Sequence, residues 1–267
     1  MKKVALVTGG SSGLGYALAE LLGKQGYSVI VVARNQEKIT NSVNKLISMG
    51  ITAKGISCDI IREEDLNRTF EQVKAEYGKL DYLVLCAGVV TTKLLADYKT
   101  TAELKKDIDI DLVGTILSAH KFLPLVPGGS KVLLISSGFG LMGAAGYSIY
   151  CAAKAGIINF GESLRRELLS KNINVYVACP GDMDTPQFQR EIANAPAWMK
   201  KETPRKLMTA EDAAEKILKQ AQGSKKFLIL SSSDVNLLVV LSKILPRKFR
   251  DSLLDKMFPL PPISEIL

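Results

Sequence analysis

The residues best suited to chemistry lie between Ile135 and Lys154, in the stretch ISSGFGLMGAAGYSIYCAAK. An apolar run ends there in two serines, a glycine-rich connection follows, and a helix is predicted to begin near Tyr147. Residues four apart share one face of a helix, so Tyr150 and Lys154 can point to the same place. Tyr147 cannot do this, because the residue four positions on is Cys151. A phenol beside an ammonium group passes a proton more easily than a free phenol, so this stretch is a candidate active site.

The overall composition is that of a folded globular protein. The 267 residues are 47% hydrophobic and 23% charged, enough to bury a core in one large domain or two small ones. The net charge of +8 could favour phosphorylated ligands, anionic membranes or nucleic acid, or it could reflect a basic solvated surface. Basic residues do not form a stripe interleaved with aromatic residues, so we expect no nucleic-acid partner.

Cysteine usage and the N-terminus indicate a reducing compartment. The four cysteines, Cys58, Cys86, Cys151 and Cys179, are scattered without a CxxC pair, so neither a metal site nor a disulfide framework is expected. The start, MKKVALVTGG, is too short for a secretory signal, and no apolar run reaches the roughly 20 residues of a membrane-spanning helix. We expect a cytoplasmic protein, either free or at the cytoplasmic face of a membrane.

Short apolar runs alternate with helical patterns along most of the chain. The runs end in turn signals, as buried parallel strands do. This alternation favours a seven-stranded parallel sheet with helices on both faces, and hence a single doubly wound α/β domain. The predicted strands are Val4–Val7, Ser28–Ala33, Ala53–Ser57, Tyr82–Cys86, Lys131–Ile135, Asn174–Ala178 and Lys226–Leu230.

A glycine cluster follows the first strand, where the chain turns into the first helix. Glycine lets a backbone approach a ligand closely, and the start of a helix presents N–H groups and a positive dipole end to a phosphate. The cluster could be a plain turn, but its place after the first strand of an alternating pattern favours a dinucleotide site. The residues predicted to bind the cofactor here are Gly9, Ser11, Ser12, Gly13, Leu14 and Gly15.

The residues after the second and third strands bear on which dinucleotide binds. Folds that prefer NAD place an acidic residue after the second strand, whereas this chain has Arg34. A guanidinium can fork onto a 2′-phosphate, so NADPH is predicted over NADH, unless Arg34 is an ordinary surface residue. Asp59 could accept a hydrogen bond from the adenine amino group, or it could be a loop carboxylate.

Four features together resemble the classical short-chain dehydrogenase/reductase family: the TGxxxGxG turn, Asp59, the Ser…YxxxK stretch and Pro180-Gly181. The resemblance extends from about Lys3 to Leu230. It implies a Rossmann-type domain, a nicotinamide cofactor and hydride transfer to or from a carbonyl carbon. The further cofactor-binding positions that it implies are Ala87, Gly88, Tyr150, Lys154, Pro180, Gly181 and Thr185.

The resemblance also implies a role for each catalytic residue. The family's serine precedes the tyrosine by thirteen residues, which gives Ser137 here, with Ser136 as the near alternative. Ser137 would stabilise the developing alkoxide, and Tyr150 would deliver or remove the proton. Lys154 would lower the pKa of the tyrosine and hold the nicotinamide ribose. Asp111 stands where the family usually has a catalytic asparagine, so its charge would change the titration of Lys154.

A narrower resemblance is to the 3-ketodihydrosphingosine reductases of that family. It lies in the Cys86-Ala87-Gly88 variant, the DTPQF motif after Pro180-Gly181 and an apolar C-terminal extension. It implies NADPH-dependent reduction of the ketone of 3-ketosphinganine, a long-chain base, in sphingolipid synthesis. Two alternatives stay open: reduction of another carbonyl (a steroid, a ketoacyl thioester or a xenobiotic ketone), and a catalytically weak dinucleotide-binding sensor.

Two segments have predicted roles of their own. We expect a catalytic domain at residues 1–232, in which residues 181–208 form an amphipathic lid over the substrate or simply pack as a surface helix. Residues 233–267 form an apolar and basic extension that could lie on an anionic membrane or pack on a sister subunit. The resemblance further implies a homo-oligomer, either a dimer or a tetramer.

Overall fold

Strands and helices alternate along the chain in the predicted order. The computed structural model describes residues 2–200, 207–223, 227–232, 235–237, 239–240, 245–257 and 260–262. The strands are β1 (Val4–Thr8), β2 (Ser28–Ala33), β3 (Ala53–Ser57), β4 (Tyr82–Leu85), β5 (Lys131–Ile135), β6 (Asn174–Cys179), β7 (Met183–Asp184), β8 (Met208–Thr209) and β9 (Leu228–Leu230). The helices are α1 (Gly13–Lys24), α2 (Gln36–Ser48), α3 (Glu63–Tyr77), α4 (Thr101–Asp107), α5 (Gly114–Phe122), α6 (Ser148–Leu168), α7 (Pro186–Asn194), α8 (Ala210–Gly223) and α9 (Arg247–Met257).

Seven strands form one parallel sheet, in the order β3-β2-β1-β4-β5-β6-β9. Alternate residues of each strand enter opposite cores. Leu6 of β1 packs in the core that includes Phe122 of α5 and Ile157 of α6, whereas its neighbours Ala5 and Val7 pack in the core beneath α1 and α8. Both faces of the sheet are buried, which explains why its strands are continuous apolar runs. The predicted doubly wound α/β domain with a seven-stranded parallel sheet is confirmed.

The strand order opens a crevice at one edge of the sheet. β1 pairs with β2 on one side and with β4 on the other, so the connections that follow these strands diverge at their carboxyl ends. Thr8, the last residue of β1, fixes the edge of this crevice. Its hydroxyl oxygen accepts hydrogen bonds from the N–H groups of Cys86 at 3.0 Å and Ala87 at 3.2 Å.

The predicted lid contains structure that the sequence did not indicate. Met183 pairs with Met208, and Asp184 with Thr209, so β7 and β8 form a small parallel sheet of their own. A strand of two residues is too short to show an alternation of apolar and polar side chains. The two strands are also more than 20 residues apart in the chain, so no local pattern indicates their pairing. Residues 201–206 of the predicted lid lie outside the described residues.

The predicted C-terminal extension is described only in part, and its early residues return to the domain. Val235 is buried. A Cβ atom added to Gly138 would lie 2.9 Å from a Val235 methyl carbon, which places Val235 against the loop after β5. In the described part of the chain, no helix is long and apolar enough to cross a membrane. Nor do those residues place three or more His, Cys, Asp or Glu side chains together for a metal ion.

Candidate active site

An open cleft with a volume of about 310 Å³ lies at the carboxyl ends of the central strands. It is lined by residues that follow β1, β2, β4, β5 and β6, together with the start of α1 and much of α7. Apart from Asp111, all predicted site residues line it: Gly9, Ser11, Ser12, Gly13, Leu14, Gly15, Arg34, Asp59, Ala87, Gly88, Ser137, Tyr150, Lys154, Pro180, Gly181 and Thr185.

The glycine turn after β1 packs so closely against neighbouring backbone that side chains would not fit at two of its positions. Gly9 has a φ of +70°, and a Cβ atom on it would lie 2.8 Å from the Cα of Ala87. A Cβ atom on Gly15 would overlap the carbonyl oxygen of Gly9. Helix α1 begins at Gly13, and the Ser12 side chain makes no capping hydrogen bond to it. The backbone N–H groups at this helix start therefore face the cleft in an arrangement that suits a phosphate group.

The two serines after β5 have different surroundings. Ser136 is buried, and its hydroxyl donates a hydrogen bond of 2.7 Å to the carbonyl oxygen of Lys154. Ser137 accepts a hydrogen bond of 3.2 Å from the N–H of Phe139, and its hydroxyl acts to lower the pKa of Tyr150. Ser136 therefore holds α6 against the end of β5, while Ser137 is the serine placed beside Tyr150.

A buried ion pair lies behind Tyr150. The Lys154 ammonium is 5.4 Å from the centroid of the Tyr150 ring and 3.1 Å from an Asp111 carboxylate oxygen. The other Asp111 oxygen accepts a hydrogen bond of 2.7 Å from the N–H of Val89. Asp111 lies in the π-helical segment Ile108–Val113 between α4 and α5, a local geometry often found at functional sites.

Gly88 makes room for this ion pair. A Cβ atom at position 88 would lie 3.1 Å from the Lys154 Nζ and 3.2 Å from an Asp111 oxygen. These distances are too short for unstrained contact, so a side chain here would push the two charged groups aside. The sequence assigned Gly88 to the cofactor, and the structure adds this second reason for glycine.

Burial dominates the titration of the site. It raises the pKa of Tyr150 to about 12, although the Lys154 ammonium and the Ser137 hydroxyl act to lower it. The lysine therefore acts on the pKa of the tyrosine in the predicted direction, but desolvation outweighs it, so the pKa lies above that of a free phenol.

The two members of the ion pair respond differently to burial. Burial is the largest influence on the pKa of Lys154 and lowers it, but the negative charges of Asp111 and Tyr150 together raise it above that of a free lysine. Burial also raises the pKa of Asp111, against the opposing effects of Lys154 and the Val89 N–H. Lys154 is consequently held in its charged form.

Two predicted cofactor contacts have partners within the chain. Thr185 caps the start of α7, where its hydroxyl oxygen accepts a 3.2 Å hydrogen bond from the N–H of Phe188 and leaves its own proton to donate. An Asp59 oxygen accepts a weak hydrogen bond of 3.4 Å from the N–H of Ile61. The Asp59 carboxylate thus has a structural contact, and it also lines the cleft.

Four further charged residues line the cleft without having been predicted: Lys38, Asp182, Arg190 and Glu191. Lys38, in the first turn of α2, lines the cleft together with Arg34 and the residues of the glycine turn. Glu191, on α7, accepts a hydrogen bond of 2.6 Å from the Tyr147 hydroxyl, 44 residues earlier in the chain. Helical spacing indicates a face for each residue but cannot join two such distant segments, so the sequence carried no signal for this contact.

Known proteins resemble this chain in sequence. A family model for "short chain dehydrogenase" matches residues 3–196, a range that includes the glycine turn, Asp111, Ser137, Tyr150 and Lys154. A 3-oxoacyl-[acyl-carrier-protein] reductase from Homo sapiens is 35% identical over 187 residues, which cover 69% of this chain and 77% of that protein.

Solved structures share the fold. A short chain dehydrogenase/reductase from Burkholderia phymatum in complex with NAD has a TM-score of 0.80 at 21% identity and covers 98% of each chain. A short chain dehydrogenase from Burkholderia cenocepacia J2315 in complex with NADP has a TM-score of 0.77 at 25% identity and covers 88% of this chain and 98% of its own. The predicted Rossmann-type fold is confirmed, and the two neighbours do not decide between NAD and NADP.

Proposed function

We propose that this oxidoreductase, which belongs to the short-chain dehydrogenase family, uses NADPH to reduce a ketone on a long apolar chain to a secondary alcohol. The proposed substrate is 3-ketosphinganine. The observation that carries the proposal is the position of the Tyr150 hydroxyl. Tyr150 lines the same cleft as Ser137 and the glycine turn, and its ring lies beside the Lys154 ammonium.

The catalytic side chains stabilise and then neutralise the negative charge that develops on the ketone oxygen. When bound, the reduced nicotinamide supplies the hydride that adds to the carbonyl carbon. Ser137 donates a hydrogen bond to the oxygen, and Tyr150 gives it a proton as the alkoxide forms. The Lys154 ammonium stabilises the phenolate that remains, and Asp111 keeps Lys154 charged and in position.

The glycine turn and two cations support NADPH as the cofactor. The residues around Gly9 and Gly13 would hold the pyrophosphate against the start of α1. Arg34 and Lys38 line the cleft where an acidic residue would stand in an NAD-preferring site, and both suit a 2′-phosphate. Thr185 would hold the carboxamide.

Apolar side chains support a long-chain substrate. Phe139, Met183 and Phe188 line the cleft on the side of the predicted lid. The Homo sapiens relative is named for a 3-oxoacyl group, which supports reduction of a chain-borne ketone in this family. A 3-oxoacyl thioester is therefore the main competing substrate, and the dinucleotide sensor is disfavoured because the Ser137, Tyr150 and Lys154 side chains lie together.

The C-terminal extension supports a membrane-surface location. Among its described residues, the large apolar ones that are exposed are Leu237, Val240, Phe249 and Leu260. Apolar side chains interleaved with Lys and Arg suit an interfacial helix on anionic lipid, which would place the protein at the cytoplasmic face of a membrane. Contact with a sister subunit in a dimer or tetramer is the competing role for the same residues.

The first prediction concerns the reaction itself. Purified protein with NADPH should convert 3-ketosphinganine to sphinganine, measured by mass spectrometry of the product. Tyr150→Phe should lower kcat by about 100-fold or more, because it removes the transferred proton. Ser137→Ala should lower kcat by about 100- to 1,000-fold, whereas Ser136→Ala should mainly lower thermal stability. Full turnover by Tyr150→Phe, or better turnover of short ketones, would contradict the proposal.

The second prediction concerns cofactor choice. Arg34→Ala should raise the KM for NADPH by about 10- to 100-fold through loss of a charge-assisted hydrogen bond, and should change the KM for NADH by less than about twofold. Arg62→Ala is the matched control, since Arg62 is exposed and does not line the cleft. Equal changes for both cofactors would show that Arg34 does not contact the 2′-phosphate.

The third prediction concerns Asp111 and pH. In the oxidation direction Tyr150 must be deprotonated, and the Asp111 charge raises the pKa of Tyr150. Asp111→Asn should therefore move the rising limb of kcat/KM for alcohol oxidation to lower pH, by about one pH unit. Asp109→Asn, in the same π-helical segment, should leave the profile in place. A shift to higher pH would mean that Lys154 has lost its proton.

The fourth prediction concerns the extension. The full chain should sediment with vesicles that contain phosphatidylserine, and Phe249→Asp should lower the bound fraction several-fold. Phe249 is 68% exposed, and Leu95→Asp is the control because Leu95 is 57% exposed elsewhere on the surface. If the full chain ignores the vesicles while Phe249→Asp lowers the oligomeric mass by light scattering, the extension contacts a sister subunit instead.

A further inference from the structure

Charged residues of both signs line the cleft. Arg34 and Lys38 line the end proposed for the cofactor. Glu191 and Asp182 line the end near Tyr150, together with the apolar side chains proposed to contact the substrate. Acidic residues at the substrate end are notable in a chain with a net charge of +8. The charge at this end therefore bears on which substrates can enter.

Glu191 is held in place close to the reacting hydroxyl. Its carboxylate accepts the 2.6 Å hydrogen bond from Tyr147, and the Tyr147 ring is stacked on Phe139 with centroids 4.6 Å apart. The Tyr147 and Tyr150 ring centroids are 6.4 Å apart, and the Glu191 charge acts on the titration of Tyr150. The carboxylate thus lies at the tip of a packed aromatic side chain beside the catalytic tyrosine.

Among the residues that the structure describes, the Glu191 carboxylate has a hydrogen-bond donor in Tyr147 but no cation in an ion pair with it. Among the described residues, none of the ion pairs includes it. Arg190 precedes it on α7 and lines the same cleft without forming an ion pair with it. A half-buried carboxylate is poorly solvated, so a cation bound in the cleft would lower its free energy.

We propose that Glu191 recognises an ammonium group on the carbon next to the reacting ketone, so that the preferred substrate is a long-chain amino ketone. This inference rests on the proposed function, because it assumes that the ketone binds at Tyr150. Carboxylate and ammonium form a charge-assisted hydrogen bond, which is stronger than a neutral one. A 3-oxoacyl thioester has no ammonium group and gains nothing from Glu191, so this residue separates the two candidate substrates.

The recognition depends on pH in a definite direction. Burial, with a contribution from Asp182, raises the pKa of Glu191 to about 7, although the Tyr147 hydroxyl acts to lower it. Among the described residues, the charged and titratable groups around Glu191 are Tyr147, directly before α6, Tyr150 on α6, Asp182 after β6, and its neighbour Arg190. Glu191 is ionised above this pKa and neutral below it. Affinity for an ammonium ligand should therefore fall as the pH drops from about 8 to about 6.

A binding experiment tests the inference without relying on turnover. Trp198 is the only tryptophan of the chain and packs near Gly146, directly before Tyr147, so its fluorescence should report ligands in this part of the cleft. Dodecylammonium and dodecanol, below their micelle or solubility limits, are the two probes because they differ in charge. Glu191→Gln should weaken binding of dodecylammonium at least about tenfold and that of dodecanol by less than about threefold.

Two more variants separate charge from folding. Glu167→Gln, an exposed carboxylate on α6, should change neither affinity. Asp182→Asn removes the second negative charge, which lies after β6 and not on α7. It should weaken the binding of dodecylammonium but not that of dodecanol, and by a smaller factor than Glu191→Gln. If Glu191→Gln does not fold, the selective effect of Asp182→Asn and the pH dependence of the wild-type protein test the same charge. Equal weakening of both probes, or no weakening, would overturn the inference.

The two proposals can fail separately. Selective loss of dodecylammonium binding together with no reduction of 3-ketosphinganine would leave the ammonium site standing and would refute the proposed reaction. Reduction of 3-ketosphinganine with the same kcat/KM in wild type and Glu191→Gln would support the reaction and overturn the role of Glu191. A decisive kinetic comparison uses the ketone of the same chain length without the amino group. The factor by which Glu191→Gln lowers kcat/KM should be at least about tenfold smaller for this ketone than for 3-ketosphinganine.

Discussion

The buried ion pair between Lys154 and Asp111 is the constraint on which the arrangement of the site depends. The two side chains are 6% and 0% exposed and lie 3.1 Å apart. Removing two charges from water is costly, and leaving one of them unpaired in the interior costs about 3–5 kcal/mol. The pair is consequently tolerated only while both partners stay in contact, and three separate parts of the chain must keep their positions to maintain it.

Each of these parts is fixed by its own contacts. The π-helical segment presents Asp111, and the Val89 N–H fixes one of its oxygens. Helix α6 presents Lys154, and the Ser136 hydroxyl holds that turn of the helix to the end of β5. Gly88 passes over the pair because it has no side chain. The result is a fixed ammonium behind Tyr150, so the tyrosine meets its charge partner without any rearrangement during the reaction.

Much of the fold and of the catalytic face could be predicted from local patterns. Strands buried on both sides are continuous apolar runs, and Tyr150 and Lys154 are four residues apart on one helix, so neither prediction needed distant contacts. The β7–β8 pair and the contact between Tyr147 and Glu191 join segments far apart in the chain, and nothing in the local pattern marks them. The sign of the Tyr150 pKa shift was also out of reach, because burial is a property of the folded site and here outweighs the neighbouring lysine.

The distribution of charge within the cleft has consequences that the net charge of the chain conceals. A value of +8 suggests anionic ligands in general. The cations that line the cleft at Arg34 and Lys38, however, stand at the end suited to a phosphorylated cofactor, and the end beside Tyr150 carries Glu191. A substrate with an ammonium group beside its ketone would place that charge toward Glu191 and its chain against Phe139 and Phe188. The cations would then hold the phosphorylated cofactor and Glu191 the ammonium group of the substrate, with the ketone between them at Tyr150.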